Sequence, residues 1–167
     1  MKWLLGMCRP KVKKAGEFER RVKEITGRSR GISVRTMTKE LNAYVRGWIS
    51  YYAGGSIKGY LEDKIVPWIH RRIRQCLWKQ WKKPGRREEM LKKLCLPQDR
   101  WKLNDFHAYS SNRHWYFSKA VLNAFIPKST IIQEYGLLDI EAAHARRMET
   151  DRRVRESCQL TLGFESG

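Results

Sequence analysis

The stretch Leu-Asn-Ala-Tyr-Val-Arg-Gly-Trp-Ile-Ser-Tyr-Tyr, residues Leu41 to Tyr52, decides the fold. With Met37 before it, the apolar positions Met37, Leu41, Tyr44, Val45, Trp48 and Tyr51/Tyr52 recur at steps of three and four. That period belongs to one face of an α-helix. Ser33 is placed to cap it, with Thr36 and Thr38 in its first turns. About 20 residues at 1.5 Å per residue make a rod of roughly 30 Å. Leu41, Gly47, Trp48, Tyr51 and Tyr52 are the expected structural residues, with the aromatics holding helices together. Gly47 costs a helix interior about 1 kcal/mol against Ala, so its expected use is to admit another backbone beside Trp48. Asn42 and Arg46 flank the stripe.

Working outward, Ala15 to Ile25 spaces Phe18, Val22 and Ile25 as one buried stripe of a preceding helix that Gly27 stops. Ala53-Gly54-Gly55-Ser56 reads as a turn. Ile57 to Val66 begins a third helix with Leu61 and Ile65 inward, and Pro67 either kinks it or opens a new one. The run Trp68 to Lys83 continues the stripe through Ile69, Ile73, Cys76/Leu77 and Gln80/Trp81. Arg71, Arg74, Trp78 and Lys82 fall on its other side, which predicts an outward Trp78. Pro84-Gly85 is a break, followed by a short basic helix from Arg86 to Leu94. Ser118 to Gln133 is helical but broken near Pro127, and Tyr135-Gly136-Leu137 reads as a helix C-cap turn. Asp139 to Arg155 is a charged helix, and Glu156 to Gly167 a loose tail.

The 167 residues carry a formal net charge of +18 and a pI near 10.1, with 41% hydrophobic residues, 31% charged residues and a mean hydropathy of −0.66. An excess of this size repels itself in a compact state and points to a polyanionic partner, nucleic acid first. From Trp68 to Lys93 there are ten cations and two acids. A membrane surface is the competing partner, but the basic amphipathic helix it needs is only half present. No stretch approaches about 18 consecutive apolar residues, so no transmembrane helix is expected. Cys8, Cys76, Cys95 and Cys158 lack metal or disulfide spacing, which fits a reducing, cytoplasmic setting.

Guanidinium groups pair bidentately with phosphate and stack on bases. The expected phosphate contacts are therefore Arg71, Arg72, Arg74, Lys79, Lys82 and Lys83. Catalysis has no such support. Glu62-Asp63 and Glu88-Glu89 are adjacent helical pairs that point apart, and His70, His107, His114 and His144 show no metal spacing. The aspartate pair that a two-metal polymerase needs is absent, and no metal or other cofactor is expected.

The order Leu41-Asn42, Arg46-Gly47-Trp48, Tyr51-Tyr52, then Trp68, Arg71-Arg72, Arg74 and Trp78-Lys79-Gln80-Trp81-Lys82 resembles the maturase-specific domain of group II intron-encoded reverse transcriptases. That region, also called domain X or the thumb, is helical and follows the polymerase palm. The resemblance runs from about Lys11 to Ile140 and is weaker in its second half, where the family has a small DNA-binding region. Arg113-His114 and Tyr116 depart from the family there.

The resemblance implies an all-α chain: a basic arm (1–14), a three-helix thumb (15–83), a smaller basic helical region (86–140) and a charged tail (141–167). It implies that Arg46, Trp78 and the six phosphate contacts meet structured RNA of a group II intron. It also implies that Arg86, Arg87, Lys92, Lys93, Arg113 and Trp115 meet DNA. The function implied is support of RNA splicing or intron mobility without polymerase activity in this chain. A separate polymerase chain is a further possible partner. The alternatives are a general DNA- or RNA-binding architectural protein, or the thumb subunit of a split reverse transcriptase.

Overall fold

A computed structural model of the chain describes residues 12–52, 57–95, 98, 122, 123 and 125–164. Every long element described is helical, and no strand occurs among the described residues. Helix α1 spans Val12–Ile25 and α2 spans Val34–Tyr52. A π-helical segment, Tyr60–Ile65, runs straight into α3, Val66–Gln80. Then come α4 (Pro84–Leu94), α5 (Lys128–Tyr135) and α6 (Ile140–Phe164).

The α2 stripe lies at the centre. Val34, Met37, Leu41, Val45, Trp48 and Ile49 are buried. Phe18 of α1 stacks on Tyr44 and packs on Trp48, with ring centroids 5.5 and 4.5 Å away. Ser33 caps the helix as expected, its Oγ accepting from the Thr36 N–H at 3.1 Å. Leu41, Trp48 and Tyr52 pack as the periodicity required, but Tyr51 does not: it is 81% exposed. It follows Tyr44 by seven residues on the edge of the stripe, and among the described residues it touches Tyr52 edge-on at 4.7 Å. Gly47 also departs from expectation. A Cβ built there meets nothing within 4 Å, so no backbone approaches it.

Pro67 stands in the first turn of α3, which follows the π-helical segment without a break. Its ring lacks an N–H and crowds the carbonyl four residues back. The chain widens into the π turn immediately before it, with the Val66 N–H donating to the Leu61 carbonyl, five residues back. Leu61 and Ile65 still reach the core.

The core is one continuous cluster that takes in Leu91 and Leu94 of α4 together with Phe125, Ile126, Ile131 and Ile140. Gly136 ends α5 in the left-handed region, at φ +68°, as the C-cap reading required. The turn after it is fastened to α2. Thr38 Oγ1 donates to the Tyr135 carbonyl at 2.6 Å. Asn42 donates to the Gly136 carbonyl and accepts from the Leu138 N–H, both at 2.7 Å. Asp139 then caps α6 through the Ala142 N–H, and α6 packs on α2 and the π segment. The expected loose tail is helix as far as Phe164, and Arg–Asp and Arg–Glu pairs such as Arg147–Asp151 and Arg153–Glu149 support the turns that lead into it.

Two substitutions on α2 should act in opposite directions in urea unfolding. Gly47→Ala should add about 1 kcal/mol, since nothing opposes the added methyl. Asn42→Ala should remove about 1 kcal/mol by taking away the partner of the Gly136 carbonyl and of the part-buried Leu138 N–H.

Candidate nucleic-acid interface

Helix α3 is buried on two sides. One face, with Ile69, Ile73, Cys76, Leu77 and Trp81 buried, continues the expected stripe. The other, at steps of four, is His70, Arg74 and Trp78, all buried as well. The outward Trp78 of the sequence reading is therefore corrected: it is 5% exposed, and the Arg87 guanidinium lies over its ring at 4.5 Å. The second face is covered because Arg87 of α4 and the segment around Ile126 pack against it.

Three of the arginines expected on phosphate or DNA reach protein carbonyls. Arg72 of α3 donates from Nη2 to the carbonyls of Lys23 and Thr26 at 3.1 and 3.3 Å, and from Nε to Thr26 Oγ1. It places a cation on the last carbonyls of α1, where the helix dipole favours one. Arg74 Nε donates to the Ile126 carbonyl and Arg87 Nε to the Trp81 carbonyl, both at 2.8 Å. Burial lowers the pKa of all three, that of Arg74 to about 10. Arg74 and Arg87 are thus interior residues rather than surface contacts.

Several of the cations that remain outside stand around the loop that joins α1 to α2. A cleft of about 470 Å³ lies between that loop and the end of α3, lined by Arg28, Ser29, Lys79, Gln80 and Lys82 among others, with no carboxylate among the described residues of its wall. Gly31, at φ +71°, turns the loop. Two bonds hold it to α3: Lys79 Nζ donates to Ser29 Oγ at 3.0 Å, and Gln80 Nε2 donates to the Ile32 carbonyl at 2.8 Å. The three cations therefore sit on a braced wall. Sequence reasoning put Lys79 and Lys82 on the surface but missed Arg28, whose place depends on how the loop folds back.

Residues 15–95 match the family model described as group II intron, maturase-specific domain. Over these residues the chain is similar to a group II intron maturase-specific domain. A comparison with curated proteins found no match. The maturase-specific domain is a non-catalytic part of its family. The match covers α1 to α4, while α5 and α6 lie outside the matched residues and dock on α2 through Thr38 and Asn42.

Arg71, Lys82 and Lys83 are exposed on or beside α3, and Arg46 is exposed on α2. On α4, two of the expected DNA contacts already have acids. Arg86 pairs with Glu89 at 2.8 Å and Lys92 with Glu88 at 2.7 Å, while Lys93 is exposed. Arg113 and Trp115 lie outside the described residues. Among the described residues no cluster of His, Cys, Asp and Glu is placed to hold a metal.

His70 is held neutral. Burial, and then the cations Arg74 and Lys128, pull its pKa down from 6.5 to about 4, against the opposing pull of Glu141 and Asp139. The unfolded chain takes up this proton near pH 6.5 and the folded chain does not, so His70's share of stability is whole above about pH 6.5 and falls as pH drops towards 4. In a proton NMR titration the His70 ring resonances should stay at their neutral positions down to about pH 5. A midpoint near 6.5 would contradict the burial of the ring among cations.

Proposed function

We propose that this chain binds the structured RNA of a group II intron through the cleft at the α1–α2 loop, and that it thereby supports splicing or mobility of that intron without polymerase chemistry of its own. The observation that carries this reading is the wall on which Arg28, Lys79 and Lys82 stand together with no carboxylate among its described residues. Elsewhere on the described surface many exposed cations are answered by acids one helical turn away, as Arg20 is by Glu24 and Arg152 by Glu149. Cations left unanswered at a fixed spacing suit a backbone of phosphates, which takes up positive charge and releases its own counterions. Lys83, next to Lys82, and Arg46 on α2 offer further exposed cations. The match to a maturase-specific domain points to intron RNA as the polyanion. A polymerase chain supplied separately is compatible with this role.

The test is competition binding with the full chain at about 0.15 M salt, near physiological ionic strength. Folded group II intron RNA is set against unrelated structured RNA and against duplex DNA. Selective retention of the intron RNA is the expected result; equal affinity for all three would favour the architectural reading. The variant Arg28→Ala/Lys79→Ala/Lys82→Ala should keep its helicity by circular dichroism, since all three side chains are exposed. Its slope of log affinity against log salt should be shallower by about 2 to 3, the loss of three phosphate contacts. An unchanged slope would rule out the cleft as the place of contact.

A further inference from the structure

The second face of α3 borders a cavity of about 450 Å³, on the side of the helix away from Thr26 and α1. Arg71, Arg74, His70, Asn123, Lys128 and Glu141 contribute to its wall. Its charges are unevenly answered. Lys128 pairs with Glu141 and with Asp139, the latter at 3.3 Å. Glu141, the one carboxylate among the described residues of the wall, is thereby held on Lys128. Arg71, exposed at the mouth, makes no ion pair among the described residues.

Arg74 is only 8% exposed. Its Nε is used on the Ile126 carbonyl, and burial alone shifts its pKa, with no carboxylate opposing the shift. Its two terminal nitrogens have no acceptor among the described residues. An interior guanidinium left half-satisfied is costly, because desolvation is not repaid by a counter-charge. A strut that only tied α3 to the Ile126 carbonyl would need one donor and no charge. Here Arg74 lines an open cavity with a second arginine three residues earlier on the same helix.

We infer that this cavity is a built seat for one backbone phosphate of the bound RNA, gripped by the free fork of Arg74 with Arg71 closing over its mouth. The inference rests on the RNA-binding reading and deepens it. The cleft at the α1–α2 loop tracks the backbone from outside, and the cavity takes a single phosphate inward. A planar fork matches phosphate oxygens in pairs, which a lysine cannot do. The cavity volume falls within the range of small-ligand sites, about 300 to 1,000 Å³, so a phosphate enters without rearrangement of α3.

The experiment uses the full chain with Arg74→Gln, which keeps a donor for the Ile126 carbonyl and loses the charge, and with Arg71→Gln, which alters only an exposed side chain. Two readouts are taken: the melting temperature against inorganic phosphate at constant ionic strength, and the salt dependence of affinity for folded group II intron RNA. Phosphate should raise the melting temperature of the wild type and not of Arg74→Gln. Each variant should bind the RNA about tenfold more weakly, the loss of one charge-assisted pair. Each slope should be shallower by about 0.7 to 0.9.

If Arg74→Gln melts lower but keeps both the phosphate response and the slope, Arg74 is a strut and the inference fails. If the phosphate response is lost while both variants keep the wild-type slope, the cavity takes a free anion and not RNA, which also overturns it. Absence of RNA binding by the wild type would overturn this inference and the broader reading together. Retained binding with unchanged slopes overturns this one alone.

Discussion

Three guanidinium-to-carbonyl ties hold the molecule around α3. Arg72 reaches the end of α1, Arg74 the Ile126 carbonyl, and Arg87 comes back from α4 to the Trp81 carbonyl. A chain with a net charge of +18 must fold against its own repulsion. Ammonium groups cannot readily be taken inside, but a guanidinium is more weakly hydrated and can lie on an indole while donating in its own plane. Arg87 does both, stacking on Trp78 while its Nε donates to Trp81. The ties remove charge from the surface and, in the same act, fasten α1, α4 and the Ile126 segment to one helix.

The remaining charge is then positioned rather than spread. Because Arg72 fixes the end of α1, the loop after it is held against α3, where Lys79 and Gln80 brace it. Arg28 is thereby brought beside Lys79 and Lys82, which are some fifty residues away along the chain. The α2 rod supplies the other fixed reference, with Thr38 and Asn42 gripping the turn that ends α5 and sending α6 across α2. Asn42 carries out a fold-defining task through two hydrogen bonds to backbone nearly one hundred residues on. That explains an uncharged polar residue at the edge of so apolar a stripe.

The parts that were legible in the sequence are those governed by a single period on a single face. Phe18, Val22 and Ile25, the α2 stripe, the Ser33 cap and the Gly136 turn all follow from local spacing or local backbone chemistry. What escaped depends on a second neighbour. Arg74 and Trp78 look outward when α3 is assigned one buried face, and His70 repeats with them every four residues only once a second face is allowed. Tyr51 continues the aromatic run in sequence but turns past the edge of what α1 covers. Gly47 suggested a close backbone approach, yet the space beside it is open. The length of α6 was hidden because Ser157 to Phe164 carries no charged residue to pair and includes Gly163, which reads as a loose tail. For the candidate site, charge density located α3 correctly as a basic element, but it did not separate cations that tie the fold from cations left free.

That separation is the central claim, and lysine-reactivity footprinting of the full chain, free and bound to folded group II intron RNA, tests it most directly. Lys79 and Lys82 should lose reactivity on binding, while Lys58 and Lys64, placed about 22 Å or more back along the same helix by the rise of 1.5 Å per residue and paired with Glu62 and Glu19, should keep theirs. Uniform protection of all four, or continued reactivity of Lys79 and Lys82 in the complex, would contradict the account.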